Sequence, residues 1–95
     1  MVGTIIDLSV EELPADCYVF KHSTRCPIST EAARVVKTHA FELPLYWVNV
    51  IEQRVLSNWI AATYCVQHES PQLIEIRSGA AKRSLSHYAI AEKNL

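Results

Sequence analysis

Two helices are predicted where apolar residues recur at every third or fourth position. The first runs from about residue 26 to 40, with Pro27 in its first turn, where the missing N–H of proline costs nothing. Pro44 prevents a continuation, because the residue before a proline is kept out of helical geometry. The second helix covers about residues 55–65. The apolar positions that carry the two patterns are Ile28, Ala32, Val35, Val36, Ala40, Val55, Leu56, Trp59, Ile60 and Ala62.

Four strands are predicted from runs of β-branched, aromatic and aliphatic residues. They cover residues 17–21, 45–51, 73–77 and, more weakly, 80–85. The run at 45–51 is nearly continuously apolar, which is typical of a strand covered on both faces. Ser78 and Gly79 form a tight turn between the last two strands, so these are expected to pair as a hairpin.

Short helices are predicted near both ends of the chain. Ser9 and Glu12 form a capping box that would begin a helix ended by Pro14, and Ser86 could cap a last helix through Ala91. The element order is then α, β, α, β, α, β, β, α, and a right-handed crossover makes the first two strands parallel. We expect an α/β protein of one domain, residues 1–95, with a small mixed four-stranded sheet and helices on both faces.

Composition and charge narrow the class of protein. A chain of 95 residues, 49% of them hydrophobic, suffices for one folded core without a metal or disulfide. The formal net charge of -1 argues against general binding to nucleic acid or an acidic membrane surface. We find no secretory leader and no apolar run of about 18 residues, so we expect a cytoplasmic monomer with reduced cysteines.

The segment Thr24–Ser29 carries the clearest chemical signal. Cys26 follows a predicted strand and opens a predicted helix, where unpaired amides and the helix dipole favour a thiolate. Arg25, Lys21 and His22 add positive character nearby. A thiolate is the nucleophile of thiol–disulfide exchange, so this placement indicates redox chemistry. The alternative is that Cys26 is only a small buried apolar residue.

The other polar and sulfur-bearing residues have simpler interpretations. Ser29 stands where a C-x-x-C protein has its second cysteine, and its hydroxyl could donate to the Cys26 thiolate but could not close a disulfide. Cys17 begins a strand and Cys65 ends a helix, and both are interpreted as packing residues. A zinc site formed by His22, Cys26, Cys65 and His68 is conceivable, although this spacing matches no standard finger.

Two strings, Phe20–Ser29 and His68–Gln72, resemble the monothiol bacilliredoxin family, whose active site is of the T-C-P-I-S type. The resemblance implies a thioredoxin-like fold with Cys26 as nucleophile and Pro71 as a cis-proline against its sulfur. It also implies removal of bacillithiol from mixed disulfides with cytosolic proteins, with bacillithiol as co-substrate and no metal or other cofactor. The residues expected around the substrate are Thr24, Arg25, Pro27, Ser29, Ser70 and Pro71.

Two other functions stay open at the level of the sequence. One is a thioredoxin-like binding or redox-sensing module in which Cys26 catalyses nothing. The other is a glutaredoxin-like protein that uses another low-molecular-weight thiol or an iron–sulfur centre.

Overall fold

A computed structural model describes residues 4–95 of the chain. Residues 1–3, which the predicted domain includes, lie outside the described part. The elements, in chain order, are β1 Ile5–Asp7, β2 Cys17–His22, α1 Pro27–Thr38, β3 Leu45–Asn49, α2 Arg54–Tyr64, β4 Gln72–Arg77 and β5 Ala80–Ser86. Two single turns of 3-10 helix, His87–Ala89 and Glu92–Asn94, follow β5.

The strands form one mixed sheet in the order β1-β3-β2-β4-β5. β1, β3 and β2 are parallel, whereas β4 pairs antiparallel with both β2 and β5. The end of β2 and the start of β4 therefore lie at the same edge of the sheet. The α/β class and the mixed sheet are confirmed, but the sheet has five strands rather than the predicted four.

The additional strand, β1, lies just before the first predicted helix, and that helix does not form. Residues 9–16 contain no helix, and the chain instead enters the sheet through β1. Leu8, which is buried, extends this pairing because its N–H donates to the Trp47 carbonyl at 3.0 Å. A helix of so few residues is marginal by itself, and pairing with β3 holds the residues just before it, Ile5 to Leu8, in an extended conformation. The local capping pattern of Ser9 and Glu12 thus yields to a tertiary contact.

Two further boundaries differ from the predictions. β3 ends at Asn49 rather than at residue 51, because the Asn49 Oδ1 atom accepts hydrogen bonds from the N–H groups of Ile51 and Glu52 and turns the chain. The last predicted helix is replaced by the 3-10 turns, and Ser86 makes no side-chain capping bond there.

The sheet separates two apolar layers, and β2 contributes alternately to each. Cys17 and Val19 pack on the α2 side, whereas Phe20 packs on the α1 side against Ala32. The same alternation carries Lys21 to the α2 side, a position where an apolar residue would be usual. No helix within residues 4–95 has the length and apolarity needed to span a bilayer.

Candidate active site

Cys26 lies in the turn between β2 and α1 and is the N-cap residue of α1. Its backbone is extended, its N–H donates to the Ser23 carbonyl at 3.3 Å, and its carbonyl accepts from Ser29 and Thr30 at 3.0 and 3.2 Å. The side chain is half-buried and forms no disulfide. Pro27 occupies the first helical position, as predicted. The thiol thus lies at the amino end of a 12-residue helix, within reach of solvent.

Ser29 has different partners from the one predicted. Its side chain is fully buried, and its Oγ atom accepts a hydrogen bond from the Ser23 N–H at 2.9 Å. The same Oγ lies 2.9 Å from Nδ1 of His22. Burial, together with the charge of Lys37, lowers the pKa of His22, so at neutral pH the ring is neutral and Nδ1 can accept the Ser29 proton. The Ser29 side chain is thus held in the turn by Ser23 and His22, and within residues 4–95 no hydrogen bond joins it to the Cys26 thiol, contrary to the prediction.

Arg25, Lys21 and His22 were expected to add positive charge around Cys26, but only Arg25 carries an exposed charge. Arg25 and Thr24 are exposed in the turn, and the Arg25 N–H donates to the Ser23 Oγ atom at 3.4 Å. His22 is neutral at neutral pH, as shown above. Lys21 is fully buried beneath the sheet edge, so it cannot attract a ligand at the surface.

The segment before β4 brings Ser70 and Pro71 to the same edge as Cys26. The Ser70–Pro71 peptide bond is cis, as the family resemblance implied. Pro71 is buried, and its carbonyl accepts a hydrogen bond from the His87 N–H at 3.1 Å. Gln72, the first residue of β4, lies opposite Lys21 of β2. Within residues 4–95 the backbone groups of Ser70 form no hydrogen bond.

The other two cysteines lie away from this edge. Cys17 is the first residue of β2 and is fully buried, and burial, followed by the nearby Asp16 carboxylate, raises the pKa of its thiol to about 11. Cys65 is exposed and ends α2 in the left-handed conformation, with φ of 55°. The preceding residue, Tyr64, lies near Cys17. Burial raises the pKa of the Tyr64 phenol, and the charge of the nearby Cys17 thiolate raises it further. Cys65 is thus at the end of β2 opposite to Cys26.

The alternative zinc site is not assembled. The His22 ring lies on the α1 side of the sheet against Ser29, whereas the His68 ring lies on the α2 side against Ser57. Across the described part of the chain, no three His, Cys, Asp or Glu side chains converge as metal ligands.

Sequence reasoning missed one polar cluster beside the site. Lys21 Nζ lies 3.0 Å from the Ser57 carbonyl and 3.2 Å from Nδ1 of His68. The available signal was a lysine at the third inward position of β2, after Cys17 and Val19. The sequence offered no indication of its partners, which are 36 and 47 residues away.

A mixed sheet flanked by α1 and α2, with a free cysteine that opens α1, defines a thiol–disulfide oxidoreductase of the thioredoxin fold. More particularly, residues 5–95 match the family model of the monothiol bacilliredoxin BrxC, and the chain belongs to that family.

Solved structures agree with this class. One, described as a candidate oxidoreductase with a thioredoxin fold, is 30% identical, with a TM-score of 0.83 over 96% of this chain and 89% of that chain. Desulfothioredoxin from Desulfovibrio vulgaris Hildenborough in its reduced form is 18% identical, with a TM-score of 0.64 over 93% and 88%. Oxidised thioredoxin O2 from Arabidopsis thaliana is 14% identical, with a TM-score of 0.66 over 93% and 86%. At these last two identities, the likeness concerns the fold alone.

Proposed function

We propose that the protein removes bacillithiol from mixed disulfides on other proteins, with Cys26 as its nucleophile. The observation that supports this most is the placement of a half-buried, unpaired thiol at the start of α1, on the sheet edge where Ser70 and Pro71 also lie. Membership of the monothiol bacilliredoxin family supports the choice of bacillithiol as the thiol that is removed.

The first step is an exchange of disulfide partners. The Cys26 thiolate attacks the bacillithiol sulfur of the modified protein, a new S–S bond forms, and the client cysteine leaves as a thiolate that takes a proton from water. The amino end of α1 stabilises the attacking thiolate, because its free amides carry partial positive charge. The unpaired Ser70 backbone would hold the client chain in an extended conformation beside the reacting sulfurs.

The second step restores the enzyme. The thiolate of a second low-molecular-weight thiol attacks the bacillithiol sulfur held on Cys26, and Cys26 leaves as a thiolate. The product is a disulfide of the two small thiols, which carries away the two oxidising equivalents. No resolving cysteine takes part in this scheme, since Ser29 replaces one and Cys65 lies at the far end of β2.

The proposal includes the predicted surroundings of this reaction. Bacillithiolated proteins are the partners, bacillithiol is the co-substrate, and no metal or further cofactor is needed. Thr24, Arg25, Pro27 and Ser70 would contact the substrate. The protein would act in the cytoplasm, where other thiols provide the reducing equivalents, and it would act as a monomer.

The test compares two labels on one client protein. The client carries a mixed disulfide with either bacillithiol or glutathione, and the release of each label is followed by mass spectrometry under pseudo-first-order conditions. We expect roughly tenfold faster release of bacillithiol, equivalent to one good hydrogen bond to a charged group. The Cys26→Ser variant is the blank, and Cys65→Ala should retain most of the activity.

Two outcomes would change the assignment. Equal or reversed rates would replace the bacilliredoxin reaction by glutaredoxin-like exchange. A disulfide between Cys26 and Cys65 in peptide maps, with loss of turnover in Cys65→Ala, would contradict the monothiol scheme.

A further inference from the structure

A buried ammonium group lies directly under the candidate active site. Lys21 is fully buried, and no carboxylate among residues 4–95 forms an ion pair with it. Its Nζ atom instead donates to the Ser57 carbonyl at 3.0 Å and to Nδ1 of His68 at 3.2 Å. Burying an ammonium ion without a counter-charge is costly, and burial lowers the pKa of Lys21 to about 8. An apolar residue would serve packing at lower cost, so the cluster requires another explanation.

The partner of Lys21 belongs to the segment that leads to the active-site edge. His68 lies between α2 and β4, three residues before Pro71. The same segment is attached to β4, because the Gln72 side chain donates from Nε2 to the Gln67 carbonyl at 3.0 Å. Lys21 and Gln72 lie opposite each other on neighbouring strands. The bond from Lys21 to His68 and the bond from Gln72 to Gln67 therefore start from one cross-strand pair.

The hydrogen bonds determine the protonation state of His68. Its Nδ1 atom lies 3.2 Å from the Lys21 ammonium and 3.1 Å from the Ser57 hydroxyl. The ammonium can only donate, whereas the hydroxyl can donate or accept. Lys21 therefore requires Nδ1 to be an acceptor, and the neutral ring carries its proton on Nε2. A second proton on Nδ1 would abolish the bond from Lys21 and place two cations together.

Burial lowers the pKa of His68 most, and two of the three charges that act on the ring lower it further. Lys21 from β2 and Arg54 from α2 both lower its pKa, and burial has the largest effect. Glu69, within the segment, opposes them. The neutral ring is therefore the ordinary state at neutral pH, and protonation requires acid.

We propose that Lys21 is a positioning residue of the exchange site: through neutral His68 its ammonium group fixes residues 67–70 ahead of Pro71, and protonation of His68 releases them. The inference rests on the proposed function, because the segment is fixed for the substrate that Cys26 attacks. The unpaired backbone of Ser70 can align a client disulfide only if the segment does not move, and a misplacement of about 1 Å can cost roughly a hundredfold in rate.

The contact itself is tested without any substrate. The imidazole of His68 is titrated by NMR in the wild-type protein and in Lys21→Met, which retains the length of the side chain and removes its charge. We expect the midpoint for His68 to rise toward the ordinary histidine value in the variant. His39, which faces Glu92 on another side of the molecule, is the internal control and should not move. An unchanged His68 midpoint would overturn the proposal.

The role in exchange is tested by two variants of His68, whose side chain is exposed. The side chain introduced by His68→Gln can accept the Lys21 hydrogen bond but cannot titrate. The side chain introduced by His68→Leu cannot accept that bond. We expect His68→Gln to keep the kcat/KM of the wild type at neutral pH and to lose the part of the decline in acid that protonation of His68 causes. We expect His68→Leu to have roughly tenfold lower kcat/KM at every pH.

The outcomes separate this inference from the proposed function. Wild-type kcat/KM and an unchanged acid decline in His68→Leu would overturn the positioning role. A shifted His68 midpoint in Lys21→Met, with no exchange by the wild-type protein on any thiol label, would refute the exchange reaction and leave the contact between Lys21 and His68 supported.

Discussion

Individual cysteines in this protein differ because of where each thiol lies in the fold. Cys17 is buried and holds its proton, Cys65 is exposed at a helix end, and Cys26 is half-buried at a helix start. Exposure by itself would rank Cys65 as the most reactive. We expect the helix dipoles to reverse this order, because a dipole favours an anion at the amino end of a helix and disfavours one at the carboxyl end.

We therefore predict that iodoacetamide modifies Cys26 roughly tenfold faster than Cys65 at neutral pH. The rates are measured by mass spectrometry in Cys65→Ala and Cys26→Ser, so that each protein reports one thiol. Faster modification of Cys65 would contradict activation of Cys26 by α1.

The left-handed backbone at Cys65 predicts a stabilising substitution. A residue with a Cβ atom is disfavoured at φ of 55°, by about 1 kcal/mol, whereas glycine is not. Cys65→Gly should raise the free energy of unfolding by about 0.5 kcal/mol, because greater freedom in the unfolded chain offsets part of the gain. Urea unfolding measures the change. Cys65→Ala, which keeps the Cβ atom, is the matched control and should show no such gain.

Among the elements, β1 and the residue after it, Leu8, show that contacts with the sheet can override a local helix-capping pattern. Leu8 contributes a buried side chain to the core on the α2 side, whereas its neighbour Ser9 is exposed. The Gln53 side chain also donates from Nε2 to the Leu8 carbonyl at 2.6 Å, which attaches this segment to the start of α2. The chain around Leu8 is thus held by long-range contacts rather than by a helical turn.

Substitutions at these neighbours distinguish the strand from the predicted helix. Leu8→Ala should lower the free energy of unfolding by about 2–4 kcal/mol, through lost burial and the cavity left behind. Ser9→Ala should change it by less than about 0.5 kcal/mol, whereas removal of a helix cap would cost about 1 kcal/mol. Chemical denaturation of both variants checks the pair. Similar losses in both would favour the capped helix.

For the whole molecule, two buried groups on the α2 side titrate in opposite senses. Lys21 has a pKa of about 8 in the folded protein and 10.5 ordinarily, so between these values the unfolded chain binds the extra proton and stability rises with pH. Cys17 has a pKa of about 11 folded and 9.0 ordinarily. Between those values the folded protein binds the extra proton, so stability falls as the pH rises.

The free energy of unfolding should accordingly rise from about pH 8 to pH 9 and then level off, because the two slopes of about 1.4 kcal/mol per pH unit oppose each other. In Cys17→Ala the rise should continue to about pH 10.5. In Lys21→Met the rise should be absent, and stability should fall above pH 9. Urea unfolding across this range measures all three profiles. Parallel profiles in the two variants would contradict the assignment.

The sequence by itself determined the elements that local periodicity controls. The apolar stripe of α1, the continuous run of β3 and the turn at Ser78 and Gly79 depend only on neighbouring residues. The position of Cys26 at a helix start follows in the same way, since Pro27 fixes where α1 begins. The match of residues 5–95 to the family model is likewise a property of the sequence, so the class of reaction could be predicted.

Only the tertiary structure decided which distant groups meet. Leu8 extends the pairing of β1 because the edge of β3 offers a hydrogen bond to its N–H group. The Ser29 side chain is held in the turn before Cys26, because folding of α1 onto β2 brings its Oγ atom within 2.9 Å of His22 Nδ1. Lys21 finds its acceptors 36 and 47 residues along the chain, and such partners depend on strand register and helix placement, which no local pattern encodes.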